Sequence, residues 1–174
     1  MKFEEELVEV FLLESLFILK QKMKQDAESV LVLMLGNGYE RIREKIPFES
    51  IGFGYMDLEI LPEIYSLATC FICPSVDDAG PMMVNQSLCC GLPVVGFEMG
   101  SVLQVVKNKG TGISVPLKDS QQLAESIYDL IKMPCEEYLI MKNRCREVAL
   151  QTCSYKAMVD LLIATYNKYL NKCK

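Results

Sequence analysis

The sequence of 174 residues contains no histidine. A Ser-His-Asp or Cys-His catalytic centre, or a zinc site with a histidine ligand, therefore cannot be built from this chain alone. The chain also lacks an apolar run of the ~20 residues that cross a membrane, since the closest one, 8–19, contains Glu9 and Glu14. Basic residues are in the minority, with 18 Lys and Arg against 23 Asp and Glu, which argues against nucleic acid or anionic lipid as a partner.

Apolar residues, in contrast, are abundant. They make up 51% of the chain, and charged residues make up 24%. A chain of this length and composition can bury one hydrophobic core and needs neither disulfides nor a metal to fold. We therefore expect residues 1–174 to form a single domain.

The eight cysteines mostly lie within apolar segments. Cys70 and Cys73 suggest a zinc motif, but they fall in a predicted strand, where positions three apart point to opposite faces. We therefore interpret the cysteines as structural thiols of a protein in the reducing cytoplasm and predict no metal site. The acidic first six residues do not resemble a signal peptide.

The hydrophobic pattern alternates between strands and helices, which predicts an α/β fold with a parallel sheet and helices on both faces. A long apolar helix at 4–25 comes first. Three helices end the chain. The predicted strands are 30–35, 50–56, 70–75, 92–97 and 111–116, and the further predicted helices are 58–67 with Asp57 as its N-cap, 82–90, 102–108, 119–132, 136–150 and 155–172.

The loops that follow the first four predicted strands all contain glycine, which lets a backbone approach a ligand closely. Ligands of open α/β sheets bind at this carboxyl edge. In the third loop, Gly80 and Pro81 open a helix whose next amides, from Met82 and Met83, have no partner within the helix. Such an N-terminus can bind a diphosphate. The alternative is an ordinary helix start with Asp78 as its cap.

The segment 74–97, PSVDDAGPMMVNQSLCCGLPVVGF, resembles the retaining glycosyltransferases of family 4, which have the GT-B fold. Cys90-Gly91 and the Pro-Val-Val at 93–95 set the register of the resemblance, which places Asp78 and Gln86 at the two glutamates of the family's E-x7-E motif. The flanking segments 53–75 and 97–116 are also similar to this family. The resemblance therefore implies a Rossmann-like domain, the nucleotide-sugar-binding half of a GT-B enzyme.

The resemblance also implies roles for single residues. Asp78 would hold hydroxyls of the transferred sugar and serve as the catalytic residue, and Gln86 would hold the ribose of the donor. Tyr55 and Met56 would flank its base.

The remaining donor-binding candidates would contact the donor through their backbone. Met82 and Met83 would meet the diphosphate with their amides. Gly80, Gly36 and Gly38 lie in loops where a backbone can approach the donor. The family transfers a hexose with retention of configuration and without a metal or other cofactor.

Three departures from the family limit these expectations. Both glutamates are replaced, by Asp78 and Gln86, and a neutral amide forms weaker hydrogen bonds to hydroxyls than a carboxylate does. The family's first strand of this domain, which would precede the long first helix, has no counterpart, and neither has the amino-terminal acceptor-binding domain. We therefore expect the isolated chain to bind a nucleotide-sugar without turnover.

The resemblance further suggests a role in glycan or polysaccharide biosynthesis, with the whole enzyme in the cytoplasm or peripheral at the inner membrane. The apolar first helix is a candidate surface for a homodimer. The alternative is a non-catalytic interaction module, or a receiver-like α/β domain with Asp57, Asp77 and Asp78 at successive strand ends.

Overall fold

A computed structural model describes residues 2–78, 82–107 and 109–170, without the side chains of 2–7 and 101. Strands and helices alternate along most of this chain. The elements are α1 (Lys2–Met23), β1 (Leu31–Met34), α2 (Tyr39–Ile42), β2 (Glu49–Gly52), α3 (Leu61–Leu67), β3 (Phe71–Cys73), α4 (Met82–Cys89), β4 (Val94–Phe97), α5 (Gly100–Val102), β5 (Gly112–Val115), α6 (Ser120–Ile131), α7 (Cys135–Thr152) and α8 (Tyr155–Leu170). Short 3-10 helices follow α1 and α2, and a π-helical turn, Leu103–Lys107, follows α5.

The strands form two hydrogen-bonded sheets in which every described pairing is parallel. One contains β1 and β2, and the other contains β3, β4 and β5 in that order. The predicted α/β architecture with parallel strands and helices on both faces is confirmed. Among the described residues no ladder joins β1 to β3.

The core divides into two clusters on the two faces of the larger sheet. Val95 and Phe97 of β4 belong to the cluster shared with α1 and α6, whereas Val94 belongs to the cluster shared with α4 and α7. This alternation follows from the period of two along a strand. Cys70 and Cys73 obey it too, since the first packs against one cluster and the second lies in the other.

Helix α1 owes its position to its apolar side chains. Leu16, Leu19 and Met23 are buried in the core cluster that also contains α6 side chains. Polar groups support the same packing, since the hydroxyl of Ser120 at the start of α6 donates to the carboxylate of Glu14 at 2.9 Å. The second half of α1 is therefore packed into the core of the domain.

The structure differs from the sequence-based predictions at three places. Helix α2 was not predicted, because its four residues are too few to display a helical period. Helix α3 begins at Leu61 with Ile60 in the N-cap position, and Asp57 instead heads the preceding turn, where its carbonyl accepts the amides of Ile60 and Leu61. The predicted helix 102–108 is a π-helical turn over most of its length.

The last two helices differ sharply in burial. Helix α7 buries Cys145, Val148 and Ala149, whereas α8 buries no side chain and exposes large apolar residues such as Leu161. None of the described helices is both long enough and apolar enough to cross a membrane.

Candidate functional site

The loops after β1 and β2 are joined at the carboxyl edge of the smaller sheet. The amide of Gly36 donates to the carbonyl of Gly54 at 2.7 Å. Both glycines have positive φ, +84° and +65°, and a Cβ on either would meet open space. These two glycines and Gly38 line a cavity of about 350 Å³ that Tyr39 and other residues complete. Two of the predicted donor-binding glycines, Gly36 and Gly38, therefore share one concave surface.

A hydrogen bond from a backbone amide to a side chain joins the loops after β3 and β4. The amide of Asp78 donates to the sulfur of Met99 at 3.1 Å. The Asp78 side chain is exposed and lies close enough to Cys73 that its charge adds to the effect of burial in raising the pKa of that thiol. The structure thus places the predicted catalytic residue beyond the carboxyl end of β3. Gly80 and Pro81, and with them the capping of α4, lie outside the described residues.

Helix α4 presents its first residues to solvent and its later ones to the core. Met82 and Met83 are 69% and 39% exposed, whereas Val84 and Leu88 are fully buried. The first turn contains no acidic residue. Because the first amides of a helix lack intrahelical partners and carry a partial positive charge, this end of α4 suits an anion.

Gln86 lies one turn further along α4 and contacts a residue that the sequence did not single out. The hydroxyl of Tyr65, on α3, donates to Oε1 of Gln86 at 3.4 Å. Burial, with a smaller contribution from Cys90, raises the pKa of Tyr65 to about 12, so the phenol stays protonated and remains a donor at neutral pH. Gln86 is therefore oriented by α3. Only an apolar helix pattern marks Tyr65 in the sequence, which is why the pairing was missed.

A cavity of about 420 Å³ lies between α3, α4 and the end of α7, beside Gln86. Its lining is mostly apolar. The residues around it are Leu58, Leu61, Pro62, Tyr65, Met82, Asn85, Gln86, Cys89, Cys90, Thr152 and Cys153. Such a cavity, with few polar groups at its edge, is typical of small-molecule sites.

Tyr55 and Met56, the predicted base-flanking residues, lie in the loop that follows Gly54. Tyr55 is 83% exposed and Met56 is half-buried, and neither lines the two cavities. The structure therefore places them near the carboxyl edge but does not bring them into contact with Gln86.

The charges around this edge are largely paired. Arg41, next to the glycine cavity, forms an ion pair with Glu9 of α1. Lys107 forms one with Glu98 of the loop after β4, at 2.7 Å. Within the part of the chain that the structure describes, no group of three His, Cys, Asp or Glu residues is arranged to hold a metal ion.

The sequence and fold resemble known proteins. A family model described as "Glycosyl transferases group 1" matches residues 10–149. An α-maltose-1-phosphate synthase from Mycolicibacterium smegmatis is 32% identical, in an alignment that covers 51% of this chain and 27% of that protein.

Two solved structures have the same fold over most of this chain. A sucrose-phosphate synthase from Thermosynechococcus elongatus matches with a TM-score of 0.71 and 21% identity, over 92% of this chain and 42% of its own. HepE from Anabaena, solved with UDP and glucose, matches with a TM-score of 0.70 and 16% identity, over 87% of this chain and 44% of its own. The chain thus spans less than half the length of each of these three proteins.

Proposed function

Because the chain belongs to the group 1 glycosyl transferases, we propose that it forms the nucleotide-sugar-binding half of a GT-B enzyme. That enzyme transfers a hexose from a nucleoside diphosphate to an acceptor with retention of configuration, in glycan or polysaccharide synthesis. The observation that carries the proposal is the position of Gln86: it follows the exposed start of α4 by one turn and borders the apolar cavity.

The start of α4 would hold the diphosphate. Its Met82 and Met83 amides belong to the first turn, where the helix leaves N–H groups unpaired. No acidic side chain in that turn repels phosphate. A diphosphate bound here also gains from the helix dipole, which offsets part of the cost of removing its charge from water.

Gln86 would bind the ribose, and the cavity beside it would accept an apolar part of the nucleoside. The hydroxyl of Tyr65 donates a hydrogen bond to Oε1 of Gln86. Among the described residues the side-chain NH2 of Gln86 has no hydrogen-bond partner. That group can donate to ribose hydroxyls. The apolar walls formed by Leu58 and Leu61 suit the face of a base.

Asp78 would accept hydrogen bonds from hydroxyls of the transferred sugar. Its loop is tied to the loop after β4 through Met99, so the two loops form one wall of the sugar site. The Asp78 side chain is exposed, and transfer needs a surface that excludes water and orients the acceptor. We therefore expect donor binding without turnover from this chain alone, with an amino-terminal acceptor-binding domain as the partner that completes the site.

Calorimetric titration of UDP, GDP, ADP and their hexose derivatives tests the proposal. We expect one base to bind selectively, the Gln86→Ala and Asp78→Ala variants to bind more weakly, and the Gln121→Ala and Asp129→Ala variants on α6 to bind like the wild type. Ligand at 100 times its dissociation constant should also stabilise the fold by about 2.7 kcal/mol.

Failure of every nucleotide to bind a chain with native melting behaviour would contradict the proposal and favour a non-catalytic interaction module. Release of free hexose or formation of a glycoside by the purified chain would contradict the expectation that it lacks turnover.

A further inference from the structure

We propose that Cys89 and Cys153 form a thiol modification site, at which a low-molecular-weight disulfide oxidises the pair to a reversible disulfide bond between α4 and the end of α7. The bond lies in the wall of the apolar cavity that Gln86 borders and narrows that cavity. Its effect on nucleotide binding rests on the proposed function, whereas the formation of the bond does not.

The two thiols belong to the ends of two helices. Cys89 is the last residue of α4. Cys153 ends α7, where its amide donates to the carbonyl of Ala149 at 2.8 Å. Both residues are exposed, and both line the cavity between α3, α4 and α7. The fold therefore brings together, at one concave surface, two accessible thiols that are far apart in the sequence.

The electrostatics of the cavity indicate which thiols are neighbours. Burial raises the pKa of Cys89, and the charge of Cys153 adds to this effect. Burial also raises the pKa of the next residue, Cys90, but there the thiol that adds to the effect is Cys89. Of the two adjacent cysteines at the end of α4, Cys89 is thus the one that faces Cys153.

The helices that carry the two thiols are packed against each other. Leu88 of α4 and Val148 of α7 are buried in the same core cluster. The guanidinium group of Arg146 donates to the carbonyl of Cys89 at 3.1 Å. These contacts keep the thiols at a high effective concentration relative to each other, which favours an internal bond over a lasting bond to an external thiol.

The end of α7 can move without loss of core packing. A disulfide places the two Cβ atoms about 3.8 Å apart, so the thiols must approach each other directly. Ser154 alone separates Cys153 from α8, and none of the described side chains of α8 is buried. A shift of this turn towards α4 therefore leaves the core cluster of α4 and α7 intact.

The other described cysteines do not share this setting. Cys73 and Cys145 are buried in the core, and Cys70 packs against it. Cys135 is exposed but does not line the cavity. The interpretation of the cysteines as structural thiols therefore suits the buried ones and does not account for Cys89 and Cys153.

The reaction consists of two thiol–disulfide exchanges, written here for glutathione disulfide. The exposed Cys153 thiolate attacks one sulfur of glutathione disulfide, forms a mixed disulfide and releases one glutathione thiolate. The Cys89 thiolate then attacks the Cys153 sulfur, breaks the mixed disulfide and releases the second glutathione. Two protein thiols are oxidised, one glutathione disulfide is reduced to two glutathione thiols, and these take up the two protons. An excess of reduced glutathione reverses both steps.

The bond changes the cavity beside Gln86. Cys89, Cys153 and Thr152 are part of its lining. Drawing the end of α7 towards α4 removes space in which a nucleoside makes apolar contacts. Withholding roughly 55 Å² of apolar contact weakens binding about ten-fold. We therefore expect the oxidised chain to bind nucleotide more weakly than the reduced chain by this factor.

Peptide mapping of the full chain tests the formation of the bond. The chain is equilibrated with glutathione disulfide, its free thiols are blocked, and it is digested with trypsin and an aspartate-directed protease. Cys153 is then the only cysteine of peptide 147–156, and Cys89 and Cys90 are the only ones of peptide 78–107. We expect these two peptides to be linked within a monomer that has lost two hydrogens. Cys89→Ser and Cys153→Ser should each abolish the link, and Cys135→Ser should leave it unchanged.

A link from Cys153 to any other cysteine, a bond between two chains, or glutathione that stays on Cys153 of the wild type overturns the proposal. So does a wild type whose thiols all remain free.

Calorimetric titration with the nucleotide that the reduced chain prefers tests the consequence. Oxidation should weaken binding by the wild type and by Cys135→Ser, and reduced glutathione should restore it. Oxidation should not change the affinity of Cys89→Ser or of Cys153→Ser. An affinity that stays the same in the linked chain overturns the effect on the cavity. A reduced chain that binds no nucleotide contradicts the proposed function instead, and the peptide map still decides whether the disulfide forms.

Discussion

The hydroxyl of Tyr65 and the side-chain oxygen of Gln86 lie 3.4 Å apart and connect α3 to α4 at the edge of the apolar cavity. The amide of Gln86 carries no charge. The phenol of Tyr65 is protonated at neutral pH, since its pKa is raised to about 12, chiefly by burial. The contact therefore orients the amide of Gln86, at the position where the E-x7-E motif of the family has a glutamate. This difference leads to the first two predictions.

Gln86→Glu should tighten nucleotide binding about five-fold. A carboxylate accepts hydrogen bonds from ribose hydroxyls more strongly than a neutral amide does, and ~1 kcal/mol corresponds to this factor. Calorimetric titration with the nucleotide that the wild type prefers measures the change. Gln121→Glu on α6 adds the same charge far from the cavity and should leave the affinity unchanged. Weaker binding by Gln86→Glu would show that position 86 does not hold hydroxyls.

Tyr65→Phe should weaken nucleotide binding two- to five-fold and leave the native fold intact. The substitution keeps the ring that packs edge-on against Phe71, with centroids 6.2 Å apart, and removes only the hydroxyl. Loss of one neutral hydrogen bond costs about 1 kcal/mol. Calorimetry of the variant measures the affinity. If Tyr65 acts by orienting Gln86, the combination with Gln86→Ala should lose no more affinity than Gln86→Ala alone.

Gly112→Ala should destabilise the fold by about 3 kcal/mol or more. A Cβ at this position would lie 1.9 Å from the carbonyl oxygen of Val94, and the φ of +153° is one that other residues rarely adopt. Urea denaturation measures the loss in the free energy of unfolding. Gly110→Ala is the matched control, since its φ is +67° but its Cβ would meet open space. It should cost only roughly 1–2 kcal/mol. Equal losses would contradict the close approach at Gly112.

Stability should fall as the pH rises from about 9 to 12. Burial raises the pKa of the Cys145 thiol from 9.0 to about 12, so the unfolded chain releases this proton at a lower pH than the folded chain does. The stabilisation from the protonated thiol is complete below pH 9 and is lost through this range, with a slope of up to ~1.4 kcal/mol per pH unit. The burial of Cys70 acts in the same direction.

Urea denaturation at a series of pH values checks the alkaline loss. Cys145→Ala should reduce the slope, and Cys135→Ala should not, because Cys135 is exposed. A free energy of unfolding that stays constant between pH 9 and 11 would contradict the prediction.

The order of the main strands and the longer helices follows from the sequence. Buried parallel strands read as short apolar runs, and β1 and β4 were both predicted within two residues of their bounds. The shorter elements were not predictable in this way, since the four residues of α2 display no period. Aspartate is a residue type common at helix N-caps, but Asp57 begins a turn, and the helix begins only at Leu61.

The candidate site was predictable in part. The spacing of Asp78 and Gln86 placed both near the start of α4, because a motif on a loop and helix is a local property of the chain. Tyr65 was missed because its contact with Gln86 joins residues 21 apart, and only packing of α3 against α4 brings them together.

The sequence by itself determined the α/β class, the parallel strands and the family, since these depend on the local period of apolar residues and on a continuous motif. Only the tertiary structure decided that the strands divide into two hydrogen-bonded sheets and that Tyr65 orients Gln86. The physical reason is that hydrogen bonds between strands and contacts between helices join segments that are far apart in the sequence. The local pattern of apolar residues does not indicate which of these segments lie next to each other in the fold.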